Sequence, residues 1–156
     1  PLDFARQVAE AVDVLSWKLP KGASRADEAS RIQQLRGTLP LKGGVVFQSS
    51  HGVGWTVLYD PEPEFRLSPL SRTLWIKPVD DLSRIAPLIE PVRRVIQAIG
   101  IAAPKERAAA LVEGLSKVGG CRFCAIGEMQ RPPLSWYHDG APRLLPLLRF
   151  VEWENQ

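Results

Sequence analysis

Between Arg72 and Ile126 apolar runs alternate with amphipathic stretches, and no other part of the chain restricts the fold so strongly. "RTLWIKPV" reads as a buried strand, and Asp80 or Asp81 can cap a short helix reaching about Leu88. "RVIQAIGIAA" is a second apolar strand. Pro104 stands where the first turn of a helix tolerates proline, and Ala108, Leu111, Val112 and Leu115 then recur at helical spacing. Gly119 and Gly120 end that helix, and "CRFCAI" is a third strand. Strand, helix, strand, helix, strand with short links predicts two right-handed βαβ units making a parallel sheet over residues 72–126.

The flanking segments follow simpler rules. Phe4, Val8, Ala11, Val12, Leu15 and Leu19 form a helical stripe that Pro20 and Gly22 stop. Ser24 with Asp27 resembles a capping box, and Ala29, Ile32, Leu35 and Leu39 carry a second helix to Pro40. Residues 1–40 are thus two helices. "GGVVFQSS" and "VGWTVLYD" give two strands within 43–60, with Val53, Trp55, Val57 and Tyr59 on one face. The prolines of "PEPEFRLSP" (61–69) exclude a helix or a central strand. Residues 127–156 are a loop, a short apolar helix and a terminal strand, read from "RLLPLLRFVEWEN". The expected fold is α/β: a parallel sheet of βαβαβ type with flanking helices.

At 156 residues the chain suits one domain with a real core. Its net charge of +3 is spread among acidic residues, as in "DEASR" and "DDLSR", with no basic block. Nucleic acid is therefore not an expected partner. No apolar run approaches the ~20 residues of a membrane span, and no signal-peptide pattern opens the sequence. Two cysteines are too few for a disulfide framework, so a reducing cytoplasm is the expected location. The sequence opens at Pro1, inside a helical pattern, which reads as a fragment or a processed product.

Several motifs offer chemistry. Cys121 and Cys124 form a CxxC, yet they lie in an apolar strand rather than at a helix N-terminus, and only His51 and His138 could complete a zinc site. Buried structural cysteines are the simpler reading, and no metal is expected. His138 beside Asp139 has the composition of a base with its orienting carboxylate, although adjacent residues seldom face each other well. "SSHGVG" lacks a Walker lysine and a following helix, and no GxGxxG follows a strand. "GEMQRPPLSWYHDGAPRLL" (Gly127–Leu145) remains. Its prolines and glycines hold Trp136, Tyr137, His138 and Asp139 on a shaped loop, either as a rigid turn packed on the core or as a pocket lining.

Taken in order, "WTVLYDPEPEFRLSPLSRTLWIKPVDDL", "VIQAIGIAAPKERAAALVEGLSKVGGCRFCAIGEMQRPPLSWYHDG" and "LLRFVEWE" resemble the C-terminal part of the long-chain acyl-CoA reductases. These are the fatty-acid reductase component of bacterial bioluminescence and its non-luminous relatives, within the aldehyde dehydrogenase superfamily. The likeness covers nearly the whole chain and is most specific in "SPLSRTLWIKPVDDL" and "GEMQRPPLSWYHDG". It implies half of an aldehyde dehydrogenase catalytic domain. It also implies NADPH-dependent reduction of a fatty acyl-CoA or other acyl thioester to an aldehyde through an acyl-cysteine.

By the same resemblance, the nucleophile and the N-terminal nucleotide-binding part lie upstream, so no catalytic residue is expected here and the chain alone is inactive. Met129, Trp136, Tyr137 and His138 would line the acyl channel. Ser68, Leu70 and Arg72 would form a wall near the cofactor, although the superfamily's glutamate falls near Ser68, where this sequence has no carboxylate. "RFVEWEN" would add to a neighbouring subunit's sheet in a homo-oligomer. The alternative is a stand-alone, non-catalytic binding or interaction module that needs a partner for its exposed apolar surface.

Overall fold

The strand covered on both faces sets the order of the first sheet. In the computed structural model, which describes residues 1–142 and 144–154, Thr56–Tyr59 (β2) lies between Val45–Gln48 (β1) and Thr73–Ile76 (β3). Thr56, Val57 and Leu58 are all fully buried, as a central strand requires. β1 runs antiparallel, with Val45 opposite Tyr59 and Gln48 opposite Thr56. β3 runs parallel, with Thr56 opposite Thr73 and Tyr59 opposite Ile76.

Two helices precede this sheet, Leu2–Lys18 (α1) and Ala26–Thr38 (α2). Ala5 and Ala9 of α1 form a buried cluster with Trp55 and Val57, and Val8, Val12, Phe47, Tyr59 and Ile76 pack against it. The expected stripe of α1 is therefore rotated: Val8 and Val12 face the sheet, while Phe4, Leu15 and Leu19 are exposed. Side-chain bulk explains the difference. Small residues one turn apart let the helix approach closely enough to cover the Trp55 indole, whose Nε1 donates to Asp13 Oδ1 at 3.0 Å.

On α2, Ile32 is fully buried, and Arg36 ties the helix to the hairpin. It donates to Thr56 Oγ1, Trp55 O and Gly52 O at 2.8–3.0 Å. The expected capping box does not form. Arg25 occupies the N-cap position, and its guanidinium holds the Asp27 carboxylate at 3.1 Å.

The chain divides into two compact units, Pro1–Asp80 and Asp81–Gln156. In the second, Ile85–Ile89 (α3), Ile99–Ile101 (β4), Lys105–Ser116 (α4) and Phe123–Ala125 (β5) follow one another. Asp81 caps the turn before α3 as expected, accepting from the Ser83 N–H at 2.9 Å. β4 and β5 pair in parallel, with Ile99 opposite Phe123, and α4 connects them. The expected stripe Ala108, Leu111, Val112 and Leu115 is the covered side of α4.

One βαβ unit thus forms where two were expected. The fold is mixed α/β, with a three-stranded mixed sheet and a two-stranded parallel one, and there is no βαβαβ sheet over 72–126. β3 takes β2 as its parallel neighbour, reached through the proline-bound segment 60–72, which is long enough for a crossover without a helix. Pro87 and Pro91 then cut α3 to five residues and leave a 3-10 stretch over Glu90–Val95, which shortens the strand expected from Arg94.

Gly119 ends the α4 connection with φ +97°, and a side chain there would run into the Arg93 carbonyl. Gly119→Ala should destabilise the second unit by about 1–2 kcal/mol from the backbone alone, with the displacement of Arg93 added. Denaturant unfolding of the two proteins checks this, and equal midpoints would refute it.

The expected terminal strand is absent: Leu145–Leu147 make a single 3-10 turn and Arg149–Glu154 form no element. Arg143 and Asn155, at the two ends of that expectation, lie outside the described residues. A strand needs a neighbouring edge for its N–H and C=O groups, and among the described residues none is paired with this segment. Phe150, Val151 and Trp153 are left exposed.

Candidate functional site

The loop after β5 is organised around a side chain in the middle of the CxxC. Arg122 is 9% exposed, and its guanidinium donates to Glu128 O and Met129 O, both at 2.7 Å. The same guanidinium lies 5.5 Å from the centre of the Trp136 ring. The planar fork can hold two carbonyls and an aromatic face at once, which a lysine cannot. Met129 is placed further by Gly100 of β4, where an added Cβ would come within 3.0 Å of its Sδ. Trp136 meets His138 edge-on at 4.9 Å between ring centres. Tyr137 and His138 are exposed.

The four residues expected to line a channel therefore share one loop, with Met129 and Trp136 anchored and Tyr137 and His138 facing outward. Asp139 and Gly140 have φ +52° and +75°, and the Ala141 N–H donates to His138 O at 3.0 Å. This is the tight bend the sequence predicts, with both central residues left-handed as a type I′ turn requires. The bend also turns adjacent side chains toward each other, so that His138 Nε2 stands 3.5 Å from Asp139 Oδ2.

Cys121 and Cys124 are free thiols. Cys121 Sγ donates to Gln97 O at 3.3 Å. Among the described residues, no group of three or more His, Cys, Asp or Glu is placed to hold a metal ion. A search of the sequence for nucleophiles and ligands passes over Arg122. The available signal was a guanidinium inside an apolar strand, a residue type that is almost never buried without partners.

Ser68, Leu70 and Arg72 lie on a strained turn in the first unit. Leu70, Ser71 and Arg72 have φ of +67°, +51° and +56°. Each such non-glycine residue costs about 1–2 kcal/mol, so the turn must be held from outside. The Ser68 hydroxyl accepts from the Leu70 N–H at 3.1 Å and donates to Thr73 O at 2.6 Å. Ser71 Oγ donates to Glu28 Oε2 at 2.7 Å, and Arg72 donates to Leu19 O at 2.5 Å. Lys21 donates to Val53 O and Ser71 O, and burial lowers its ammonium pKa despite the nearby Glu28. The Ser68 hydroxyl is thus used within its own loop, and Leu70 is the apolar side chain that the turn exposes.

The two groups of residues belong to different units. Comparison with known proteins places both units together in one sequence family. The family described as Acyl-CoA reductase (LuxC) matches residues 1–152. The chain belongs to this acyl-CoA reductase family. It is 26% identical over 152 residues to a long-chain acyl-protein thioester reductase of Aliivibrio fischeri. It is 28% identical over 153 residues to long-chain acyl-protein thioester reductase 2 of Photobacterium leiognathi. Each alignment covers 97% of this chain and 31% of the relative, so the chain spans about a third of their length.

A reductase family implies a nucleotide cofactor, and among the described residues the β4–α4–β5 unit does not form a cradle for one. The β4–α4–β5 unit has the right connectivity, yet α4 opens on Pro104, which has no N–H, and carries Glu106 in its first turn. Both features oppose a phosphate at that helix end. β2 and β3 are joined without a helix at all.

Proposed function

We propose that this chain is the C-terminal portion of the catalytic domain of an NADPH-dependent acyl-CoA reductase. The parent reduces a fatty acyl thioester to the aldehyde, and its acyl-carrying cysteine and nucleotide-binding part lie outside these residues. The observation that carries the reading is the family match over residues 1–152, set against relatives about three times as long. Exposed apolar side chains support it in both units, among them Phe4, Trp17, Leu134, Phe150, Val151 and Trp153. Surfaces of this kind are covered in a finished protein. Within the reading, residues 1–40, 43–60, 72–126 and 127–156 are successive segments of one catalytic domain, and the assembled protein is a homo-oligomer.

In that protein the Arg122-anchored loop supplies one wall of an acyl channel through Met129, Trp136, Tyr137 and His138. A thioether and an indole suit a fatty chain because they bury methylenes without demanding hydrogen bonds along its length, at ~0.8 kcal/mol per CH₂. Ser68, Leu70 and Arg72 form a wall near the cofactor, presented by a turn whose strain is held by Glu28, Lys21 and the Leu19 carbonyl. Strain of this kind collects where a backbone must keep one unusual shape.

The first test is aldehyde formation by the intact polypeptide from an acyl-CoA with NADPH. A folded protein that reduces no acyl thioester overturns the reading. Within an active protein, Trp136→Ala should raise KM for long acyl chains about tenfold while short ones change little, since several buried methylenes lose a wall. Equal loss at every chain length would remove Trp136 from the channel.

A further inference from the structure

We propose that Glu28 is a positioning residue for the wall at Ser68, Leu70 and Arg72. Through the Ser71 hydroxyl it holds the turn in a left-handed shape that the turn's own sequence does not favour. The inference rests on the reading of that wall as part of a reductase site. It extends the site to the first turn of α2, which carries none of the wall residues.

This turn is the one place among the described residues where three successive non-glycine residues have positive φ. It closes on the Thr73 N–H, which donates to Leu70 O at 3.0 Å, so Ser71 and Arg72 take the two central positions. A tight turn with both central residues left-handed is normally built from Asn-Gly or Asp-Gly. Glycine at any of the three positions would take these angles without strain. Three side chains are displayed instead, and each has a separate use. Leu70 is exposed, Ser71 reaches Glu28, and Arg72 reaches the Leu19 carbonyl.

The two sides of the turn are fixed within the sheet and the loop. The Thr56 N–H of β2 donates to Arg72 O at 3.0 Å, and the Leu70 N–H donates to Ser68 Oγ at 3.1 Å. Its middle, Ser71, is held from outside. Glu28 Oε2 accepts the Ser71 hydroxyl at 2.7 Å, and Lys21 Nζ reaches the Ser71 carbonyl at 3.4 Å. The first bond is the shorter and its acceptor is a carboxylate, which makes it the stronger. Lys21 also shares its ammonium with Val53 O, at 2.9 Å. The two anchors differ in rigidity as well. Leu19 and Lys21 belong to a linker with no regular element, whereas α2 is fixed by buried Ile32 and by the hydrogen bonds of Arg36. Without the Glu28 acceptor, Ser71 keeps its strain and loses the contact that offsets it. The turn then relaxes toward negative φ, and Leu70 leaves its place in the wall.

Amide hydrogen exchange and steady-state kinetics of the intact polypeptide test this, on the parent, Glu28→Ala, Glu28→Gln and the double variant E28A/S71G. Glutamine keeps an acceptor for the hydroxyl, and glycine enters the left-handed region unaided. Glu28→Ala should speed exchange at Leu70 and Thr73 about tenfold or more and raise KM for NADPH about tenfold. The kcat and the acyl KM should change less than about twofold. Glu28→Gln should recover most of both effects, and E28A/S71G should recover both with no acceptor at position 28. A residue that merely stabilised α2 would lower the melting temperature, and glycine 43 positions away would not rescue it. Should Glu28→Ala fail to fold, Ser71→Ala removes the same bond from its other side and is measured in its place. Unchanged exchange at Thr73 overturns the proposal. So does faster exchange with an unchanged KM in an active protein, or a raised KM that Ser71→Gly does not recover. A folded parent that reduces no acyl thioester sinks the reductase reading, and the exchange series still decides whether Glu28 holds the turn.

Discussion

Arg122→Ala is expected to destabilise the second unit by about 3 kcal/mol and to release the loop that carries the candidate channel residues. The guanidinium is buried and makes two charge-assisted hydrogen bonds, each contributing roughly 1.5–3 kcal/mol, and it stacks on Trp136. These terms overlap, because one side chain makes all of them, and the total falls well below their sum. Alanine leaves Glu128 O and Met129 O without their donor beside a cavity. Hydrogen exchange should show faster amide exchange from about Glu128 to Ala141, together with a red-shifted Trp136 emission. Arg122→Lys should restore only part of the protection, since an ammonium cannot fork to both carbonyls and cover the ring. Unchanged exchange in the alanine protein would show that the loop holds itself.

Asp60→Ala is expected to cost the first unit about 3 kcal/mol near neutral pH, the usual consequence of breaking one side of a buried ion pair. Asp60 is 2% exposed; it accepts from Lys77 Nζ at 2.6 Å and from the Glu62 N–H at 3.1 Å. Lys77 is itself largely buried over the Trp75 ring, and without Asp60 the Glu62 carbonyl is its one remaining polar partner among the described residues. Burial pushes the Asp60 carboxyl up, but the Lys77 and Glu62 hydrogen bonds and the charges of Lys77 and Arg66 outweigh it. The pKa lies below the ordinary aspartate value. A depressed carboxyl stabilises the fold above its unfolded pKa of about 4 and loses that contribution as pH falls through the folded value. Stability measured from pH 7 downward should therefore fall below about pH 4 in the parent. In Asp60→Ala this acid limb should be shallower by up to about 1.4 kcal/mol per pH unit. Parallel acid limbs would assign the acid sensitivity to other carboxylates.

Where a local rule decided the outcome, the sequence could be read directly. The proline-bound segment 61–69 forms no element, Asp81 caps its turn, and Asp139–Gly140 bends with both residues left-handed. The stripe of α4 and the strand at Phe123–Ala125 appear where spacing puts them. Family membership was also legible, because the order of "SPLSRTLWIKPVDDL" and "GEMQRPPLSWYHDG" is carried by residue identity alone. The candidate loop at Gly127–Leu145 was visible through its prolines and aromatics. Its anchor Arg122 was not, because nothing in a linear reading links the residue just before β5 to carbonyls six and seven positions later.

What only the tertiary structure decided is which surfaces meet. Sequence marks Leu2–Lys18 as helical, with one stripe through Phe4, Val8, Ala11, Val12, Leu15 and Leu19. The sheet selects the face with Ala5 and Ala9, because the Trp55 ring fills the space that larger residues would need. Sequence likewise gives "RTLWIKPV" as a strand without naming its neighbour. β2 takes it in parallel, since a strand buried on both faces must have an edge partner on each side, and the 60–72 segment is long enough to supply one. Backbone preferences are local and period-coded, whereas partner choice depends on volume, charge and loop reach summed over segments far apart in the chain.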